Sequence, residues 1–212
     1  MDITKIEIDQ KDTLEEIFQI YETSFPANER QTLETLKIRL KEDKEVLFAA
    51  KINNEVVGIG FLFDLRGSDF LLLDYLAVKE NHRGQQIGER LFEFLKSYSK
   101  RHHKHLLMEV DDPEYGEDKP SRIKRIAFYQ KNGAYWLKDV KYILPALDKT
   151  LPTEQILMVV PKNVESEFSG QEIHRLVKVL YSELYGISGE DEDNLLKIVS
   201  SIAKKVQVSK FL

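Results

Sequence analysis

Apolar positions along the chain follow two periods. Near the start, "ITKIEI" alternates, which predicts a strand. Leu14, Ile17, Phe18 and Tyr21 then recur at helical spacing, with Asp12 and Thr13 placed to cap the segment. Pro26 in "SFPANER" sets a turn, and Leu33, Leu36 and Leu40 share one face of a second predicted helix. "EVLFAAKI" and "EVVGIGFLFDL" flank Asn53-Asn54, which predicts a hairpin. "DFLLLDYLAV" is nearly all apolar, as expected of a strand buried on both faces. A helix is predicted from Arg83 to about Arg101, with Ile87, Leu91, Phe94 and Leu95 as its stripe. "HLLMEV" reads as a strand and "DDPEYGEDKPS" as a loop. Next comes a short helix capped by Ser121 and stopped at Asn132-Gly133, then strands "AYWLKDV" and "QILMVV".

The element order β-α-α-β-β-β-α-β-α-β-β predicts one α/β domain over residues 1–160. Residues 161–212 differ: "VESEFSGQEIHRLVKVLYSELYG" and "EDEDNLLKIVSSIAKKV" predict two amphipathic helices. This appendage is expected to be structural, covering a sheet edge or making a contact in a homodimer.

Composition narrows the classes. The chain has 212 residues and 42% hydrophobic residues, enough for a sizeable core. A formal net charge of −5 argues against a general nucleic-acid binder, which needs a basic footprint. With no cysteine there is no disulfide, thiol nucleophile or thiolate metal ligand. "RHHKH" invites a zinc reading, but basic residues suit a helix end and no fourth ligand stands at zinc-like spacing, so no metal is expected. The N-terminus lacks an apolar run of signal-peptide length, and no run approaches the ~20 residues of a membrane span. The expectation is a cytoplasmic protein with no membrane partner.

The stretch "LAVKENHRGQQIGERLFEFL" carries the chemistry. A buried strand, a glycine turn and a helix make an anion site, because the first helical N–H groups lack intrahelical partners. Gly84 and Gly88 let the backbone approach phosphate oxygens, and Arg83 adds a fixed cation. A different phosphate-ligand enzyme, such as a nucleotide binder, is a further reading, but Glu89-Arg90 stands where a P-loop needs Lys-Ser/Thr, which counts against it.

"LLLDYLAVKENHRGQQIG" resembles the central motif of the GNAT superfamily of N-acetyltransferases: a Leu-Ala-Val-like strand end, a polar link, then Arg-Gly-x-Gly-x-Gly/Ala opening a helix. It departs at Gln86, where the family usually has glycine. "RIAFYQKNGA" resembles the family's second acetyl-CoA motif, and "SFPANER" its "FP..ER" segment. The resemblance implies the GNAT acyltransferase fold, a mixed sheet with splayed middle strands flanked by helices. It also implies acetyl-CoA as co-substrate, lying between the strands that end at Val78 and Val110. Backbone from Leu76, Ala77 and Val78 would hold the pantetheine, with the N–H of Leu76 polarising the thioester carbonyl. The pyrophosphate would sit on Arg83, Gly84, Gln85, Gln86, Ile87 and Gly88. Tyr129 would donate a proton to the departing thiolate. The acceptor would be a small-molecule or peptide amine, attacking directly in a ternary complex. Asp74, Glu109 or water would take its proton, and orienting the strands is an equal alternative for Asp74. Phe25, Glu29 and Arg30, with Asp74 and Glu109, would line the acceptor site. The alternative is a non-catalytic acyl-CoA-binding module.

Overall fold

The computed structural model describes residues 1–144, 153–164, 167–187 and 193–211. The chain forms two compact units: Met1–Asp64 with Leu73–Arg101, and Leu65–Leu72 with His102–Leu212.

The first unit runs β1 (Asp2–Ile6), α1 (Lys11–Ser24), α2 (Leu33–Lys41), β2 (Glu45–Ile52) and β3 (Glu55–Asp64). Leu73–Val78 of β4 (Phe70–Val78) and α3 (Ile87–Arg101) complete it. β2 pairs antiparallel with both β1 and β3. Asn53 and Asn54 have φ of 51° and 68°, the left-handed pair a two-residue hairpin needs, and asparagine tolerates it best after glycine. α1 starts at Lys11, so Asp12 and Thr13 lie inside it and do not cap it; Gln10 flanks the start without a side-chain cap. Leu14, Ile17, Phe18 and Tyr21 are buried with Leu47, Ile59, Phe61 and Tyr75. Glycines in β3 let α3 pack close. A Cβ on Gly60 would lie 2.7 Å from Leu95 Cδ1, and one on Gly58 would lie 3.3 Å from Ile87 Cγ2. α3 buries Ile87, Leu91, Phe92 and Leu95; the expected Phe94 instead lies edge-on to Phe48, ring centroids 5.2 Å apart.

The second unit takes the first three residues of β4, Phe70–Leu72, then β5 (His105–Asp111), α4 (Lys119–Lys131), β6 (Tyr135–Leu137), β7 (Tyr142–Leu144) and β8 (Thr153–Val160). β9 (Glu167–Ser169), α5 (Gly170–Val179), α6 (Asp193–Ser201) and β10 (Lys205–Ser209) come after them in the chain. Phe70–Leu72 pairs parallel with His105–Leu107. β8 runs antiparallel to β5, β6 and β7, so the sheet is mixed. The cap of α4 is Asp118, not Ser121: the Ser121 N–H donates to the Asp118 carboxylate. Pro120 then fits the first turn, where no N–H is needed.

The tail is not purely helical. α5 and α6 form, but Lys205–Ser209, whose first residues extend the predicted helix, is a strand that pairs with β6 and β9. Residues 161–212 therefore contribute strands to the second unit, and the compact units do not divide near residue 160. The alternation in "KVQVS" is short and is masked by the longer helical stripe preceding it. Gly170 makes the junction possible: its N–H donates to Lys204 O at 2.8 Å, and a Cβ there would meet Ala203 O at 2.0 Å. The acidic run at 190–193 lies outside the described residues, apart from the backbone of Asp193.

Candidate active site

Within the first unit, β4 runs through a short 3-10 turn, Glu80–His82, into the glycine turn. The helix begins at Ile87, later than Arg83, because Gly84 (φ +79°) and Gln86 (φ +59°) both adopt left-handed backbone. A Cβ on Gly84 would meet nothing within 4 Å, so the turn is open above its backbone. Arg83, Gly84, Gln85 and Gln86 are exposed, and Ile87 is buried as the anchor of the helix mouth. Arg83 Nε donates to Val78 O at 3.3 Å, tying the turn to the strand end. The left-handed φ at Gln86 is one that glycine adopts without steric cost. Glutamine keeps that conformation at a cost of about 1 kcal/mol and is exposed to solvent. Leu76 and Val78 are half-buried and Ala77 is buried.

Asp74 belongs to an interior ion cluster that sequence reasoning does not find. Arg39 of α2 lies 3.4 Å from Asp74 and 3.7 Å from Glu45 of β2, and all three side chains are nearly inaccessible. The guanidinium also lies over the Phe63 ring, 4.9 Å from its centroid. The Glu45 contact is within ion-pair range but too long for a hydrogen bond. Two carboxylates beside one guanidinium leave a net negative charge in the interior, which favours holding a proton. Burial pushes Asp74 up to about 6, with Arg39 opposing. Burial, then the charge of Asp74, pushes Glu45 well above the ordinary carboxylate range.

A pH dependence results. A folded value near 6 against an ordinary 3.8 means that the folded state holds this proton more tightly. The contribution of Asp74 to stability is greatest below pH ~4, falls as pH rises toward ~6, and is flat above. Lowering the pH from 7 to 5 should therefore raise the melting temperature of the wild type relative to Asp74→Asn. Parallel melting curves for the two proteins across that window would contradict the assignment.

Phe25, Glu29 and Arg30 sit on the segment between α1 and α2, which is pinned to β4. The Tyr75 hydroxyl accepts from Gln31 N–H at 3.2 Å and donates to Glu29 O at 3.3 Å. Tyr21 donates to Gln31 O at 3.1 Å, and the Phe25 ring packs edge-on to Tyr75. Burial pushes Tyr21 up to about 12 and Tyr75 higher still, so both remain neutral donors. Arg30 pairs with Glu22 at 3.6 Å, while its buried Nε has no hydrogen-bond partner. Glu29 is exposed.

Glu109 and Tyr129 lie in the second unit. Glu109 accepts from Tyr142 and, at 2.7 Å, from Tyr185. Sequence reasoning finds neither tyrosine, because nothing local marks either as a partner of β5. Tyr129 sits near the end of α4, half-buried, and burial raises its phenol against the opposing charge of Arg125. It is thus a protonated donor at neutral pH. Among the described residues no group of three His, Cys, Asp or Glu side chains is placed to hold a metal, and no helix is long and apolar enough to cross a membrane.

A mixed sheet flanked by helices, with an open glycine turn at the mouth of a helix, defines an α/β fold. Residues 14–134 match the acetyltransferase (GNAT) family, more than half of the chain, and the protein belongs to that family. YjbC of Bacillus subtilis (strain 168), provisionally named an acetyltransferase, is 25% identical over 85% of this chain and 91% of its own. A provisionally named GNAT-family acetyltransferase of Bacteroides thetaiotaomicron shares the fold at a TM-score of 0.73 and 20% identity, over 89% of this chain and all of that one. An aminoglycoside 6'-N-acetyltransferase solved with coenzyme A shares it at 0.59 and 17% identity, over 78% and 99%.

Proposed function

We propose that this protein is an acetyl-CoA-dependent N-acetyltransferase that passes an acetyl group directly to a primary amine in a ternary complex. The observation that carries the reading is the turn Arg83–Gly88, whose left-handed Gly84 and Gln86 leave exposed backbone beside a fixed cation at the mouth of α3. Those residues suit a pyrophosphate. The β4–β5 ladder covers Phe70–Leu72, so Leu76, Ala77 and Val78 lie beyond its end and suit a pantetheine chain. The thioester supplies the acetyl group. The Leu76 N–H polarises its carbonyl, and Tyr129 gives its proton to the departing sulfur.

An ammonium acceptor must lose a proton before it attacks, and Glu109 or a water molecule takes that proton. The interior cluster engages Asp74 with Arg39, which favours a role in orienting β4 and tuning charge. Glu109 is half-exposed and favours contact with the acceptor. Phe25, Glu29 and Arg30 suit the rim of the acceptor site, since Tyr75 fixes their segment to the strand that carries Leu76.

Calorimetry with acetyl-CoA tests the turn. The wild type should bind at micromolar strength or tighter, on the order of −8 kcal/mol. Gly84→Val should weaken binding about 10-fold, because a β-branched residue resists φ of +79° and covers the backbone donors. Gly88→Val should do the same by blocking close approach. Undiminished affinity in both, with intact folds, would refute the pyrophosphate assignment. Turnover of an amine panel then separates an enzyme from a module that only binds acyl-CoA.

A further inference from the structure

The sequence of α5 writes two faces onto one helix. Ile173, Leu176, Val177 and Leu180 recur at helical spacing and are buried. Gln171, His174, Arg175 and Lys178 recur at the same spacing on another face, and all but the half-buried His174 are exposed. The hydroxyl of Ser169 accepts from Glu172 N–H at 3.2 Å and fixes where the helix starts.

The second face is one wall of an open cleft of about 600 Å³. Leu195, Leu196 and Val199 of α6 form the facing wall. Every described residue of the cleft lies in the second unit. Its volume falls in the range of sites that hold small molecules.

The two walls differ in chemistry. α6 offers hydrocarbon, and Leu196 is 46% exposed, a large apolar side chain that the fold leaves uncovered. α5 offers Arg175 and Lys178, one turn apart, with His174 beside them. Among the described residues no acidic side chain lines the cleft. Two helices packed only for stability would turn apolar stripes toward each other. Here a basic face stands opposite an apolar one, with open space between. Arginine and lysine lay their stems along apolar surface and keep their heads in water. The cleft is thus divided into an apolar floor and a cationic rim. A ligand divided in the same way, with an apolar body and an anionic head, satisfies both parts at once.

We propose that the cleft between α5 and α6 is a binding site for a small organic anion with an apolar body, whose head pairs with Arg175 and Lys178 and whose body lies on Leu195, Leu196 and Val199. The proposal goes beyond the acetyltransferase reading and does not depend on it, because none of these residues has a part in that chemistry. It also gives residues 161–212 a role beyond their structural one.

Calorimetry on the full chain tests it with ten-carbon probes, since the ten residues of α5 span about 15 Å. Decanoate or decyl phosphate should bind in the micromolar range, and the tighter of the two names the head group. Decanol and decyltrimethylammonium should bind at least 10-fold more weakly. Arg175→Gln with Lys178→Gln should weaken the anionic probe roughly 10-fold or more, the range for charge-assisted bonds, and leave decanol unchanged. Leu196→Asp puts a negative charge on the apolar wall and should weaken the anion by a similar factor; its exposure means that the melting temperature should hold. Equal affinity for decanoate and decanol, or full affinity in both variants, would overturn the proposal. So would displacement of the anion by coenzyme A, which would place the probe at the Arg83–Gly88 turn instead. A wild type that binds neither anion would also overturn it. If binding then appears once Glu190→Gln, Asp191→Asn and Glu192→Gln are made together, the cleft serves the chain's own acidic run.

Discussion

Arg39→Met is expected to cost about 3–5 kcal/mol of stability at neutral pH, the scale for removing one partner of a buried ion pair. Methionine is close in volume, so lost packing should contribute little. The pair left behind is Glu45 and Asp74, both nearly inaccessible and each repelling the other. Without the guanidinium, the desolvation of these two carboxylates is no longer offset. The variant's deficit should shrink as the pH falls toward 5, because each carboxyl can then take up a proton and lose the charge that the interior disfavours. Adding Glu45→Gln and Asp74→Asn to Arg39→Met should recover much of the loss at pH 7. Urea unfolding at pH 5 and pH 7 measures all of this. A loss under about 1 kcal/mol at pH 7, independent of pH, would show that the cluster is better solvated than its accessibility implies.

Tyr129→Phe is expected to lower kcat by about 10- to 1000-fold with little change in acetyl-CoA affinity. The substitution keeps the ring, so its edge contact with Phe128, centroids 5.4 Å apart, should survive. The backbone at this position also persists: Tyr129 O accepts from Ala134 N at 3.0 Å in the turn that ends α4, and that bond does not involve the hydroxyl. Burial keeps the phenol protonated at neutral pH, so it can offer a proton to a leaving thiolate. A thiol-release assay at saturating amine reads kcat, and calorimetry reads acetyl-CoA binding. A wild-type kcat in this variant would remove Tyr129 from the chemistry and leave it a packing residue.

The sequence alone revealed the features whose physics is local. The Asn53-Asn54 hairpin was legible because two consecutive left-handed residues are what such a turn requires. β4 was legible because nine nearly apolar residues in a row suit a buried strand. The glycine turn before α3 was legible from Gly84 and Gly88, although the true start of its helix, Ile87, depended on two backbone angles that residue names do not display. The short strands of the tail were harder, since three to five residues carry little periodic signal. Only the tertiary structure decided which polar groups meet. Arg39 reads as one more basic residue on a helix, yet it faces Asp74 across a separation of 35 residues. Tyr185 reads only as the end of a predicted amphipathic helix, yet its hydroxyl reaches Glu109 from 76 residues away. A buried charge or hydroxyl takes whatever partner the packed strands bring within about 3 Å. That pairing is a property of the assembled sheet and helices, and no stretch of sequence contains both halves of it.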